Sequence, residues 1–197
     1  MWAPFGVFAG TSPKCEIKTA DFVFDLQQPS DSRRGLKSLL RFLKSFDTSQ
    51  TITKDFSERL ESEKISVLPF FERPGLVANA VGFFDIETNA VYLNKGEFGV
   101  LALNFFHEMV HSGDKEYAER VEDWKNDPQP RKSDFMVFAA ERKAYDEQRK
   151  LIEELFKKSP CSRTYFQFHE DHGNVVVSAL SDKDIANHYK LNPEWIK

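Results

Sequence analysis

The chain has only two cysteines in 197 residues, Cys15 and Cys161. That is too few for a disulfide framework, and neither has zinc-ligand spacing. We read them as one bond closing a large loop, which favours an exported or secreted protein over a cytoplasmic one; the alternative is two free thiols. A basic excess is also missing. The 27 Lys and Arg against 31 Asp and Glu give a net charge of −4 and a pI near 5.8, which argues against a partner that is nucleic acid or an anionic membrane. No apolar run approaches 18 residues, so no bilayer span is expected. Residues 1–10 are apolar but short and lack a basic leading segment, and do not read as a signal peptide. Hydrophobic residues at 41% and charged residues at 29% are an ordinary globular balance. Nineteen phenylalanines stand out and point to an aromatic core. The length predicts one domain, expected to act as a monomer.

One stretch makes a chemical demand: His107-Glu108-Met109-Val110-His111. Histidines four apart lie roughly 40° apart on one helix face, one turn above the other. Two imidazoles so placed can reach one Zn²⁺ at about 2.0–2.1 Å. Glu108, beside the first of them, can address water at that metal, so HExxH supplies two ligands and a general base. The local pattern supports a helix. Phe98, Leu101, Ala102, Phe105 and Met109 recur at three- and four-residue spacings, no proline interrupts 99–112, and Gly113 stands where the helix would end.

Two histidines need a third ligand. Tyr117, six residues after His111, does not fit a metzincin pattern. Asp114 follows Gly113 and is a second choice because of its short reach; Glu116, Glu119 and Glu122 are fallbacks. The best candidate is Glu141, set among Phe138, Ala139 and Ala140 on a second strong helix, where an unpaired carboxylate would be costly.

His107-Glu108-Met109-Val110-His111, followed 30 residues later by Glu141, resembles the gluzincin group of zinc metallopeptidases over about residues 80–150. The resemblance implies zinc held by His107, His111 and Glu141, with Glu108 as general base. It also implies an acidic residue one turn after Glu141 that supports a ligand histidine, a pattern from which this sequence departs. That position is Tyr145, with Asp146 next; Tyr145 is therefore our candidate for oxyanion stabilisation or ligand support. In gluzincin-like folds the strand before the zinc helix is the sheet edge that pairs with an extended substrate, here Val91-Tyr92-Leu93.

Elsewhere, Phe22, Phe24 and Leu26 alternate as a strand over 21–26, and Leu36, Leu39, Leu40 and Leu43 mark a helix from Ser32 to about Phe46 with a basic outer face. A helix is expected over 55–64 and a strand over 65–71, stopped by Pro74-Gly75. Residues 76–94 read as a β-hairpin turning at Glu87-Thr88-Asn89. Residues 115–132 form a polar connection closed by Pro128 and Pro130, and Ser133 or Asp134 caps the Glu141 helix, which runs to about Lys158. Two strands are expected, over 163–168 and 175–180. The loop between them holds His169 and His172, read as a solvated turn, although either of these or Tyr165 could reach the cleft. Ser181 caps a last short helix from Asp182 to about Tyr189.

The expected fold is α+β and zincin-like, a small mixed sheet with the HExxH helix and a mainly helical lower lobe. The upper part would span about 15–113 and the lower part about 114–197. The expected function is a zinc-dependent metallopeptidase acting on protein or peptide substrates. The alternatives are a catalytically inactive zincin-fold protein-binding domain and a zinc amidase acting on cell-wall peptides.

Overall fold

The computed structural model describes residues 51–69, 82–94, 98–158 and 181–196, together with 37, 39–41, 163, 166, 167, 170 and 171. Its elements are α1 (Thr51–Ser62), β1 (Ser66–Pro69), β2 (Gly82–Asp85), β3 (Ala90–Leu93), α2 (Phe98–Ser112), α3 (Lys115–Asn126), α4 (Pro130–Lys158) and α5 (Asp182–Tyr189). The result is a mixed α+β architecture, mostly helical, with one small sheet. No helix among the described residues is long and apolar enough to cross a membrane.

The organising element is α2. Leu101, Ala102, Leu103, Phe105 and Met109 are fully buried, each large side chain contributing about 1.5–3 kcal/mol by leaving water. The face carrying the histidines is buried as well, so α2 is enclosed on all sides rather than packed on one. It lies against β2 and β3 on one side and α4 on another. Phe56 of α1 meets Phe106 at 5.4 Å and Phe105 edge-on at 6.4 Å, which places part of the phenylalanine excess in the core. Leu39, in a helical stretch, joins the same cluster.

At the C-terminus of α2, Arg59 takes the carbonyls and hydroxyls the helix leaves open. Its guanidinium donates to Met109 O at 2.8 Å and Ser112 Oγ at 2.8 Å. Gly113 lies so close beneath it that a Cβ there would stand 2.5 Å from Arg59 Nη1. That close approach, rather than a left-handed backbone, is what requires glycine.

The sheet order is β1-β3-β2, with β1 parallel and β2 antiparallel to β3. The expected hairpin is present as β2 and β3. Asp85 Oδ1 accepts from Glu87 N in its turn, and Asn89 adopts φ 50°. Residues 70–81, which would extend it, lie outside the described residues. One expectation is overturned here: Val91-Tyr92-Leu93 is the central strand. Both of its edges are already paired, so it offers no free main-chain groups to a substrate.

Three other expectations are revised. Residues 115–126 form a helix, α3, with only Val121 buried. Glu116 and Arg120 pair at 2.7 Å along its surface. The Glu141 helix begins at Pro130, three residues before the expected cap, since proline's missing N–H costs nothing in a first turn. Arg163, Phe166 and Gln167 are helical rather than extended. Gln167 bonds Glu170 and Asp171, three and four residues on, and Phe166 is fully buried. The expected last helix is α5, closed by a capping box between Ser181 and Asp184 and ended by Lys190 in the left-handed region. The 21–26 and 175–180 strands, most of the 32–46 helix, Cys15, Cys161, Tyr165, His169 and His172 lie outside the described residues.

Candidate metal centre

His107 and His111 project from α2 toward Glu141 in the middle of α4. His107 Nε2 is 3.1 Å from Glu141 Oε2, and His111 Nε2 is 3.4 Å from Glu141 Oε1. The imidazole rings are 4.8 Å apart and near perpendicular. Ligand atoms of His107, His111 and Glu141 all lie within 4.8 Å of one another, and among the described residues this is the group of three able to hold a metal ion. Both histidines are buried.

The donor set fits zinc. Two imidazole nitrogens and a carboxylate oxygen converge, the composition of an open three-ligand zinc site. His107 Nδ1 lies 3.2 Å from Gln148 Oε1. As donor to that oxygen, Nδ1 keeps the proton and leaves Nε2 as the ligand nitrogen. Burial would raise the Glu141 carboxyl, but hydrogen bonds from His107 and His111 and their charge hold it well below the usual range.

Glu108 is buried one residue beyond His107, against β2. Phe84 of β2 donates its backbone N–H to the carboxylate. In an antiparallel strand the N–H and C=O of one residue point to the same side. Gly82 and Phe84 therefore face away from β3, toward Glu108. Gly82 is also where the strand makes room: a Cβ there would lie 3.0 Å from both Cγ and Oε1 of Glu108. Burial pushes the Glu108 carboxyl up to about 7; the Glu141 charge adds to this, and His107 and the Phe84 N–H oppose it.

Three tyrosines enclose the centre. The Tyr145 ring packs on His107 at 4.7 Å, and its hydroxyl is 3.2 Å from that of Tyr189. Tyr189, from α5, donates to Glu141 Oε2 at 2.7 Å. Tyr117 lies 5.9 Å from the His111 ring. Burial first, and then the Glu141 charge, raise all three phenols, that of Tyr145 to about 12. All three are therefore hydrogen-bond donors at neutral pH.

Sequence reading places His107, Glu108, His111, Glu141 and Tyr145, and the structure brings all five together. It does not include Asp114 in the cluster: that carboxylate is buried but accepts from Lys143 Nζ at 2.8 Å. Glu116, Glu119 and Glu122 are exposed on α3. Gln148 and Tyr189 were not anticipated. Gln148 is seven residues after Glu141, two turns along the same face, and that spacing is the one local signal for it. Compared with known proteins, the chain matches no family model, no curated protein sequence and no solved structure.

Proposed function

We propose that the protein is a zinc-dependent metallopeptidase of gluzincin type with a zincin-like fold, hydrolysing peptide bonds of protein or peptide substrates. The observation that carries this reading is the convergence of His107, His111 and Glu141 with a buried Glu108 on the same helix. Zinc held by those three residues would supply a Lewis acid for the scissile carbonyl and for water. Glu108 would serve as the general base toward the attacking water and pass the proton to the leaving nitrogen. In the metal-free protein burial already raises this carboxyl, which favours its holding a proton. The Phe84 N–H fixes one of its oxygens. Tyr145 supports His107 through its ring. The strand that faces Glu108 is β2, so a substrate main chain would run by Gly82 and Phe84 rather than along β3.

The test is metal content of the wild type beside His111→Ala, Glu141→Ala and Asp114→Ala. One zinc per chain is expected, lost in the first two variants and kept in the third. Turnover is then measured on casein and on peptidoglycan, which separates a peptidase from an amidase. Glu108→Gln should keep zinc and lose hydrolysis. A wild type that binds no added zinc would remove the enzyme reading, and one that binds zinc without turnover would favour a protein-binding domain.

A further inference from the structure

Glu141 is held from a third direction. Its Oε2 atom accepts the Tyr189 hydroxyl at 2.7 Å, shorter than its 3.1 Å approach to His107. Tyr189 has one proton and spends it on Glu141, so in the 3.2 Å contact between the phenols Tyr145 is the donor. A directed chain results, from Tyr145 through Tyr189 to the carboxylate.

The helix that carries Tyr189 is anchored along α4. Ile185 and Ala186 are buried, Asp182 pairs with Arg142 at 3.4 Å, and beyond the helix Asn192 N donates to Asp134 Oδ2 at 2.7 Å. The capping box at Ser181 fixes where α5 starts and Lys190 where it ends, and so fixes the height at which Tyr189 meets Glu141. The contact joins residues 48 apart, and the two helices pack on each other.

Resting on the zinc centre proposed above, we propose that Tyr189 is the positioning residue of the metal triad, its hydroxyl raising metal affinity by holding Glu141. In the metal-free protein, Glu141 is oriented by both histidines and by Tyr189. When zinc occupies the Nε2 atoms, their hydrogen bonds to Glu141 are given up. Tyr189 is then the donor that keeps one oxygen occupied and turns the other toward the metal. A glutamate has three side-chain torsions to fix, and hydrogen bonds of this kind to a ligating group account for about 10–100-fold in metal affinity.

The experiment is a zinc titration of the full chain against a chromophoric chelator, for wild type, Tyr189→Phe, Tyr145→Phe and Asp182→Asn. Tyr189→Phe keeps the ring and removes the donor, and should weaken zinc binding by about 10–100-fold. Tyr145→Phe keeps its ring on His107 and should lose less. Asp182→Asn loosens the α5 anchor without touching Glu141 and should bind as wild type. With cobalt in place of zinc, the visible spectrum should shift in Tyr189→Phe and not in Asp182→Asn. Wild-type affinity in Tyr189→Phe would overturn the inference alone. Equal losses in Tyr189→Phe and Asp182→Asn would also overturn it, because the effect would then be general loosening of α5. Failure of the wild type to bind zinc would instead remove the zinc centre on which it rests.

Discussion

Gly82→Ala tests the Glu108 seat without needing a substrate. The new Cβ would stand 3.0 Å from Glu108 Cγ, 3.0 Å from Oε1 and 3.4 Å from Cδ. Carbon atoms are comfortable at about 3.5–4.0 Å, so the neighbour must give by a few tenths of an ångström. The strand cannot retreat, because β2 is paired with β3 along its length. The helix cannot either, because neighbouring Phe105, Phe106 and Met109 are fully buried. Glu108 must therefore turn and lose the Phe84 N–H. Overpacking of this kind costs about 1–3 kcal/mol, read as about 2–4 °C of Tm per kcal/mol for a chain this size. The cycle with Glu108→Ala isolates the cause. Without the carboxylate stem, Gly82→Ala should cost less than about 0.5 kcal/mol, since alanine also restricts the unfolded chain. Turnover should fall in the single variant, because the base is moved off its aim, with zinc retained. Equal destabilisation by Gly82→Ala in both backgrounds would refute the close contact and, with it, the account of how Glu108 is aimed.

Two further predictions concern stability. The Glu108 carboxyl, raised from 4.5 to about 7 mainly by burial, stays protonated in the folded protein while the unfolded chain releases its proton. With zinc chelated, folding stability should therefore fall between pH 4.5 and 7 and level off above, by about 3 kcal/mol at about 1.4 kcal/mol per unit. Glu108→Gln cannot ionise and should be more stable than wild type by about that amount at pH 8 but not at pH 4; urea unfolding with the same difference at both pH values would sink this. Gly113→Ala places a Cβ 2.5 Å from Arg59 Nη1 and should cost about 1–3 kcal/mol through the displaced bonds to Met109 O and Ser112 Oγ. Denaturant unfolding should show that loss shrinking in an Arg59→Ala background.

What could be read from the sequence was local. His107, Glu108 and His111 sit within one helical turn, so helix geometry alone puts them together. Glu141 was recognisable from Phe138 and Ala140, which are indeed buried beside it. The partners of these groups are tertiary. Tyr189 reaches Glu141 from 48 residues away and Gln148 reaches His107 from 41; no local pattern announces Tyr189, and only the seven-residue spacing from Glu141 points to Gln148. The edge position that the resemblance implies for Val91-Tyr92-Leu93 fails for a different reason. Ala90-Val91-Tyr92-Leu93 is apolar at every position and buried at all four, the mark of an interior strand rather than an edge. Residues 115–126 escaped because a helix with one buried residue has almost no apolar stripe to detect.

The site and the core are the same helix, and this sets the terms on which a metal can enter. Groups on α2 that would bind zinc are buried beside the Leu101 and Phe105 side chains that hold the fold, though His107 and His111 keep 6% and 7% of their surface exposed. In the metal-free protein they are not left unpaired: Glu141 satisfies the facing nitrogens of both histidines, and Tyr189 satisfies Glu141. Zinc would thus replace hydrogen bonds in a formed cavity rather than order a loose one. One group lies outside this arrangement. His111 Nδ1 is buried with no hydrogen-bond partner among the described residues, whereas His107 Nδ1 faces Gln148. A ligand histidine fixed through its outer nitrogen keeps its tautomer and ring orientation, and one without such a bond is freer in both. Among the described residues, His107 is the one of the two histidines held through its outer nitrogen.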